Sequence, residues 1–447
     1  MNPNDRIHAA EGDIGQRTDF QRDRDALLYS SAFRRLAGVT QVYSPNEGQL
    51  YHNRLTHTLE VAQIARRIAE YLVSPEITDP DLLQQLAKQK KLGVLDPEVA
   101  ETAALAHDLG HPPFGHVAEH TLNKLLQEDG GEGFEGNAQS FRVVNKLTIR
   151  QDESDGLNLT RASLNAILKY PWMQKIVKKK PKETKWGAYE TEEYEFKFAR
   201  EGSKKNVRSL NAQVMDWADD IAYSIHDTED FYRAGLIPLG QLSVSEEEAN
   251  NFVDDVFAKW EQKETDFEFE PDYIRAEFLQ FVAEMPFKGP FVPDRKNRQT
   301  VRSFTSKMIG YLVQASKIQE EPDEDGNHLV VDEKQRVLVK MLKQLTWEYV
   351  IYGPTLAAIQ GGQKKIIREI YDALMDSAQN SITFEIFPQS SRWQLLQLKK
   401  DHGRNIPDKH IRRTVADTIS LMTDYQATMF FKRIAGDHVN APFETFG

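Results

Sequence analysis

The sequence predicts an all-α protein with minor β-hairpins. Apolar residues recur at three- and four-residue spacing through most of the chain, as buried helix faces require. Alternating, strand-like patterns are confined to short stretches around Tyr194-Phe196-Phe198 and Asp325-Gly326. There is no internal repeat, no low-complexity tract, and neither a P-loop nor a Gly-rich dinucleotide fingerprint.

In chain order, residues 19–37 read as an amphipathic helix in which Arg22, Arg24, Arg34 and Arg35 alternate with Leu27, Leu28, Phe33 and Leu36, ended by Gly38. Thr40-Gln41 runs into a turn at Pro45-Asn46-Glu47-Gly48. His52-Asn53-Arg54-Leu55-Thr56-His57 opens a helix whose buried stripe is Leu59, Ala62, Ala65, Ile68, Ala69 and Leu72, so His57 falls in its first turn. Residues 74–96 form an insertion around a short helix. Asp96 as cap and Pro97 at the first position start a helix over 98–109, which Gly110, Pro112-Pro113 and Gly115 break before a second helix begins near Gly115. The stretch from Ala104 to His120 thus gathers four histidines and two carboxylates at a helix junction.

Gly130 to Gly133 reads as a loop, 134–147 and 160–168 as helices, Lys178 to Lys182 as a solvated charge run, and 194–198 as a hairpin. Residues 211–232 form a strong helix on which Asp216, Asp219, Tyr223, His226 and Asp227 share roughly one third of the circumference. Carboxylates so grouped require a cation or hydrogen-bond donors opposite them. Helices follow over 246–261, 273–285, 298–318, 333–352, 363–377 and 408–434, with a hairpin at Asp325-Gly326 flanked by Leu329-Val330-Val331. Gly361-Gly362-Gln363-Lys364-Lys365 lacks the spacing of a phosphate loop. The expected division is 1–239 as a catalytic core and 240–447 as a helical region packed on it.

With 447 residues there is ample material for a large core. The absence of cysteine excludes disulfides, thiolate nucleophiles and cysteine-ligated zinc. A net charge of −12 argues against a general nucleic-acid coat, though not against a basic pocket. No apolar run is long enough to span a bilayer, and the polar first residues lack a signal-peptide core. A soluble, cytoplasmic protein is expected.

His57, His107-Asp108 and Asp219, drawn from three helices, make a mixed nitrogen and oxygen set suited to manganese, iron, nickel, zinc or magnesium. His116 and His120, four apart, could form an independent metal pair, but the sequence shows no third ligand for it. The order H…HD…D resembles the HD-domain metal-dependent phosphohydrolases. The blocks Arg22-Asp23-Arg24-Asp25, Ser31-Ala32-Phe33-Arg34-Arg35-Leu36, Thr40-Gln41-Val42, His52 to His57, Ala106 to His116, Phe134-Glu135-Gly136-Asn137-Ala138-Gln139 and Ala218-Asp219-Asp220-Ile221-Ala222-Tyr223-Ser224 are similar, in order, to the bacterial deoxyguanosinetriphosphate triphosphohydrolases.

That resemblance implies an HD-domain helical core and hydrolysis of a deoxynucleoside triphosphate, dGTP favoured, to the deoxynucleoside and inorganic triphosphate. It implies that His57, His107, Asp108 and Asp219 hold a divalent ion, Mg²⁺ or Mn²⁺ favoured over Fe²⁺, Ni²⁺ or Zn²⁺. It makes His116 the catalytic histidine and Glu119 its orienting carboxylate; their spacing of three on one helix independently allows that contact. Arg54 would hold phosphate, with Lys169 a weaker candidate; Gln41, Tyr223 and Asp227 would surround the sugar, with His111 and Asn137 in the pocket. A homo-oligomer built on the C-terminal helices is implied, with regulatory nucleotide or single-stranded-DNA binding as secondary properties. The rival readings are an HD phosphohydrolase of nucleoside monophosphates or cyclic nucleotides, and a nucleotide- or single-stranded-DNA-binding regulator.

Overall fold

Each helix that carries a candidate ligand starts at a residue able to cap it. Asn53 accepts from Thr56 N, and Thr56 Oγ1 accepts from Asn53 N, at the head of Arg54–Leu72. Asp96 accepts from Glu98 N and Val99 N, and Pro97 takes the first position of Pro97–Ala106. Ser209 caps Leu210–Arg233. These three helices pack on one another. Their apolar faces, with Val61, Ala65, Ile68, Ala100, Ala103, Ala218 and Ile221, lie in the main hydrophobic cluster.

The structure is a computed structural model and describes residues 2–8, 15–41, 52–89, 91–128, 131–151, 154–174, 185–263, 268–352, 354–380, 384–403 and 406–437. The expected turn at Pro45 to Gly48, the run Lys178 to Lys182 and Gly130 lie outside these residues. Among the described residues the protein is all-α with two antiparallel strand pairs, Ile149–Gln151 with Ser154–Asp155 and Ser316–Ile318 with Leu329–Val331. The second pair is the hairpin expected around Asp325-Gly326, and Gly326 there has φ +81°. None of the described helices is long and apolar enough to cross a membrane.

The main cluster runs from Leu27 to Val350, passing through Leu239 and Leu242. A second cluster joins the apolar face of His116–Glu128 to Ile367, Ile370, Leu374, Val415 and Ile419. The helix that carries His116 is therefore buried against the C-terminal helices.

Several elements differ from expectation. Residues 193–200 form a helix, Glu193–Arg200, rather than a hairpin. Three aromatic and charged pairs are too few to fix a period, and the decisive spacing is four: Glu195 and Ala199 are buried together, with Glu195 paired to Lys146 at 2.6 Å. The first helix stops at Leu28, and Ser30 caps a separate Ser31–Arg35. The helix expected over 298–318 is Arg295–Gln314, its last residues having become the strand Ser316–Ile318. The last helix divides into Asp408–Ser420 and Asp424–Ile434, because Thr423 and Gln426 form a capping box. Gln389–His402 is a further helix, and Gly361-Gly362 lie inside Pro354–Asn380.

Candidate active site and metal centre

The helix Pro97–Ala106 ends where His107 and Asp108 begin, and close backbone approach fixes the turn. A Cβ on Gly110 would lie 2.2 Å from Ser140 N and 2.3 Å from Gly136 O, so only glycine fits. Ser140 Oγ accepts from Gly110 N at 2.9 Å and donates to His107 O at 2.8 Å. Phe114 and Gly115 then take φ +64° and +59° in succession and swing His116 to the mouth of the cleft. The left-handed Phe114 is held by Asp424, which accepts its N–H at 2.8 Å.

His107 Nδ1 donates to Ala104 O at 2.6 Å, which leaves the Nε2 lone pair free. That Nε2 is buried and has no hydrogen-bond partner. It lies 3.4 Å from Asp108 Oδ1 and 3.7 Å from Asp219 Oδ1, and His57 Nε2 lies 3.2 Å from the same Asp219 oxygen. Ligand atoms about 2.1 Å from a shared cation have separations of this size. His57, His107 and Asp108 bring one ligand atom each within 4.8 Å of one another. The unsatisfied Nε2 and the mixed donor set fit a divalent cation.

The electrostatics agree. Burial opposes ionisation of Asp108, but the charge of Arg54, with His107 and His111, holds its carboxyl well below the ordinary range. Burial likewise opposes ionisation of Asp219, and the Lys169 ammonium, the His57 hydrogen bond and His107 outweigh it. Burial and Arg54 push His111 down to about 4 against the pull of Asp108, so it is neutral at pH 7. Arg54, itself buried, donates to Asp108 Oδ2 at 2.7 Å and to Thr40 O at 3.0 Å.

His116 is 70% exposed, with Nδ1 2.7 Å from Glu119 Oε2. Glu119 Oε1 accepts from Gly136 N at 2.9 Å. Burial works against the Glu119 charge, yet the His116 hydrogen bond and the neighbouring histidines keep its carboxyl below the ordinary range.

These groups open into one cavity of about 590 Å³, lined by eleven of the thirteen candidate residues: Gln41, Arg54, His57, His107, Asp108, His111, His116, Asn137, Lys169, Asp219 and Tyr223. Glu119 stands behind His116. Asp227 is not among the lining residues: it is buried, its Oδ2 has no partner, and burial with neighbouring Asp230 pushes its pKa well above normal. Lys169 reaches the cavity, but its Nζ lies 2.7 Å from Asp216 and 3.1 Å from Asp219, so it supplies the cation opposite the acidic helix face. The opposite wall was not foreseen. Lys343, Trp347, Gln360, Gln363 and Lys364 supply it, from helical segments whose sequence carries no motif.

Comparison with known proteins agrees with this geometry. The family model for the HD domain matches residues 54–224, which contain all four candidate ligands. The chain is 33% identical to a deoxyguanosinetriphosphate triphosphohydrolase-like protein of Streptomyces coelicolor, over 94% of its own length and 93% of the relative. It belongs to the HD-domain deoxyguanosinetriphosphate triphosphohydrolase family. A like-named protein of Corynebacterium efficiens is 34% identical over 96% and 93% of the two chains. One from Thiobacillus denitrificans reaches 42% identity over 53% of each. A phosphohydrolase-associated domain matches residues 329–433 and thus spans the unforeseen wall and Asp424. Family membership makes the chain a hydrolase with a divalent-metal domain, and His57, His107 and Asp108 are positioned as a possible site for that metal.

Proposed function

We propose that the protein hydrolyses a deoxynucleoside triphosphate, dGTP favoured, by water attack at the α-phosphorus, releasing the deoxynucleoside and inorganic triphosphate. The observation that carries this reading is His116, exposed at the mouth of the cavity, with Glu119 fixed behind it and the His57, His107, Asp108 and Asp219 cluster beside it. Mg²⁺ or Mn²⁺ held by those four residues would polarise an α-phosphate oxygen and position the water. Glu119 accepts the Nδ1 proton of His116, which leaves Nε2 to deliver a proton to the ester oxygen departing from phosphorus. Arg54 and Lys343 face the triphosphate, and His111 and Asn137 shape the wall beside it. Gln41 and Tyr223 enclose the sugar, with Tyr223 stacked under a ring that lacks a 2′-hydroxyl. Asp227, one turn on from Tyr223 and with its buried Oδ2 unpartnered, joins Gln41 as the candidate for binding the sugar 3′-hydroxyl. A homo-oligomer formed by the C-terminal helices belongs to the same reading, and sedimentation measures it.

The test is product analysis over the four dNTPs with Mg²⁺ or Mn²⁺. Triphosphate and deoxynucleoside are expected, fastest from dGTP. The His116→Ala variant should lose about 10²- to 10⁴-fold in turnover while still binding metal and nucleotide. Unchanged turnover would remove His116 from the chemistry. Orthophosphate from a monophosphate, or opening of a cyclic nucleotide, would replace the substrate class. Binding of nucleotide or single-stranded DNA without turnover would make the chain a regulator.

A further inference from the structure

Among the described residues, one other trio of histidine and carboxylate side chains brings its ligand atoms within 4.8 Å: His111, His116 and Glu119. The third ligand that the His116–His120 spacing lacked is supplied from the preceding turn, by His111 in place of His120. The His111 and His116 rings meet edge to face, 5.2 Å between centroids. His111 is buried, and its Nδ1 lies 2.9 Å from Asp108 Oδ1, so the ring is held on its inner side by a ligand of the first site. A Cβ on Gly136 would stand 3.3 Å from Glu119 Oε1 and 3.4 Å from His111 Nε2, so glycine leaves the floor of the cradle open. The exposed His116 leaves its outer side open to water.

Two imidazoles, one carboxylate and an open position form the donor set of a three-ligand zinc site, whereas magnesium prefers oxygen donors. We propose that His111, His116 and Glu119 bind a second cation, Zn²⁺, and that this ion inhibits the enzyme. It occupies the imidazole nitrogen and the carboxylate on which proton delivery by His116 depends, and its binding releases a proton. The inhibitory half rests on the reading of His116 given above.

The experiment is equilibrium dialysis of the full chain against Zn²⁺ without nucleotide, with anomalous diffraction at the zinc edge to place each ion. Two ions per chain are expected for the wild type. One is expected for His116→Ala and for Glu119→Gln, the survivor lying at His107. His116 is exposed, so its loss leaves the fold intact. With Mn²⁺ held constant, wild-type turnover should fall about 10²-fold as Zn²⁺ fills the site that His116→Ala abolishes. A single zinc ion in the wild type, a second ion surviving in both variants, or full turnover with the second site filled overturns the proposal. Failure to release triphosphate would sink the functional reading and leave the ion count untouched.

Discussion

Two quartets of two histidines and two carboxylates lie along the helices Arg54–Leu72 and Leu210–Arg233, the first also drawing His107 and Asp108 from the end of Pro97–Ala106 and the second His52 from just ahead of Arg54. One is His57, His107, Asp108 and Asp219; the other is His52, Glu60, His226 and Asp230. In the second quartet His52 Nδ1 lies 2.6 Å from Asp230 and Nε2 3.1 Å from Glu60, while His226 Nδ1 lies 2.7 Å from Glu60. The two rings stack at 5.3 Å. Burial opposes the charge of His52, but the hydrogen bonds it donates to Asp230 and Glu60 raise its pKa to about 10. Glu60 falls to about 2, its burial outweighed by the two histidines. This quartet is an ion-pair network that lines no part of the active cavity. In the first quartet His107 lines that cavity, and its Nε2 stands 3.4 and 3.7 Å from the carboxylates of Asp108 and Asp219, against 2.6 to 3.1 Å for the contacts of the second. Composition does not separate the two; spacing and access to the cavity do.

His107→Ala draws that distinction most sharply. Turnover should drop by about 10³-fold, matching the several kcal/mol a catalytic cation supplies, and metal analysis should show the bound ion lost. His52→Gln should retain the ion; its loss there would erase the contrast. A smaller effect is expected at Asp424, which accepts from Thr40 N, Thr40 Oγ1 and Phe114 N. Asp424→Ala should cost about 2–3 kcal/mol in urea unfolding by leaving buried donors unpaired. It should also raise KM, because the turn ahead of His116 loosens.

His52→Gln should destabilise the fold by about 1–2 kcal/mol, less than a fully buried pair because His52 keeps some access to water. The pH dependence is the finest measure. His52 is raised in the folded state, so its contribution is complete below its ordinary value near 6.5 and disappears as pH rises through about 10. Urea midpoints of wild type and His52→Gln should therefore converge toward pH 10. A gap that stays constant would show that His52 acts through packing alone.

The sequence made the first quartet legible because chemistry constrains its residue types: His107-Asp108 sits at a helix end, and His57 and Asp219 lie on strongly periodic helices. The helix reading of 211–232 also foresaw an acidic face in need of a cation, which Lys169 supplies. The far wall was not legible. Lys343, Trp347 and Lys364 sit in segments where any polar residue would serve the helix, and tertiary packing alone carries them across the cavity. The misread 194–198 stretch failed for a related reason: its partners, such as Lys146 for Glu195, are distant in sequence.

The clasp between Asp424 and Thr40 spans 384 residues. Without Asp424 every proposed ligand would still be present and Thr40 would keep its carbonyl contact with Arg54, but Thr40 N and Phe114 N would lose their acceptor. The C-terminal region matched over residues 329–433 thus reaches back to brace the turn ahead of His116.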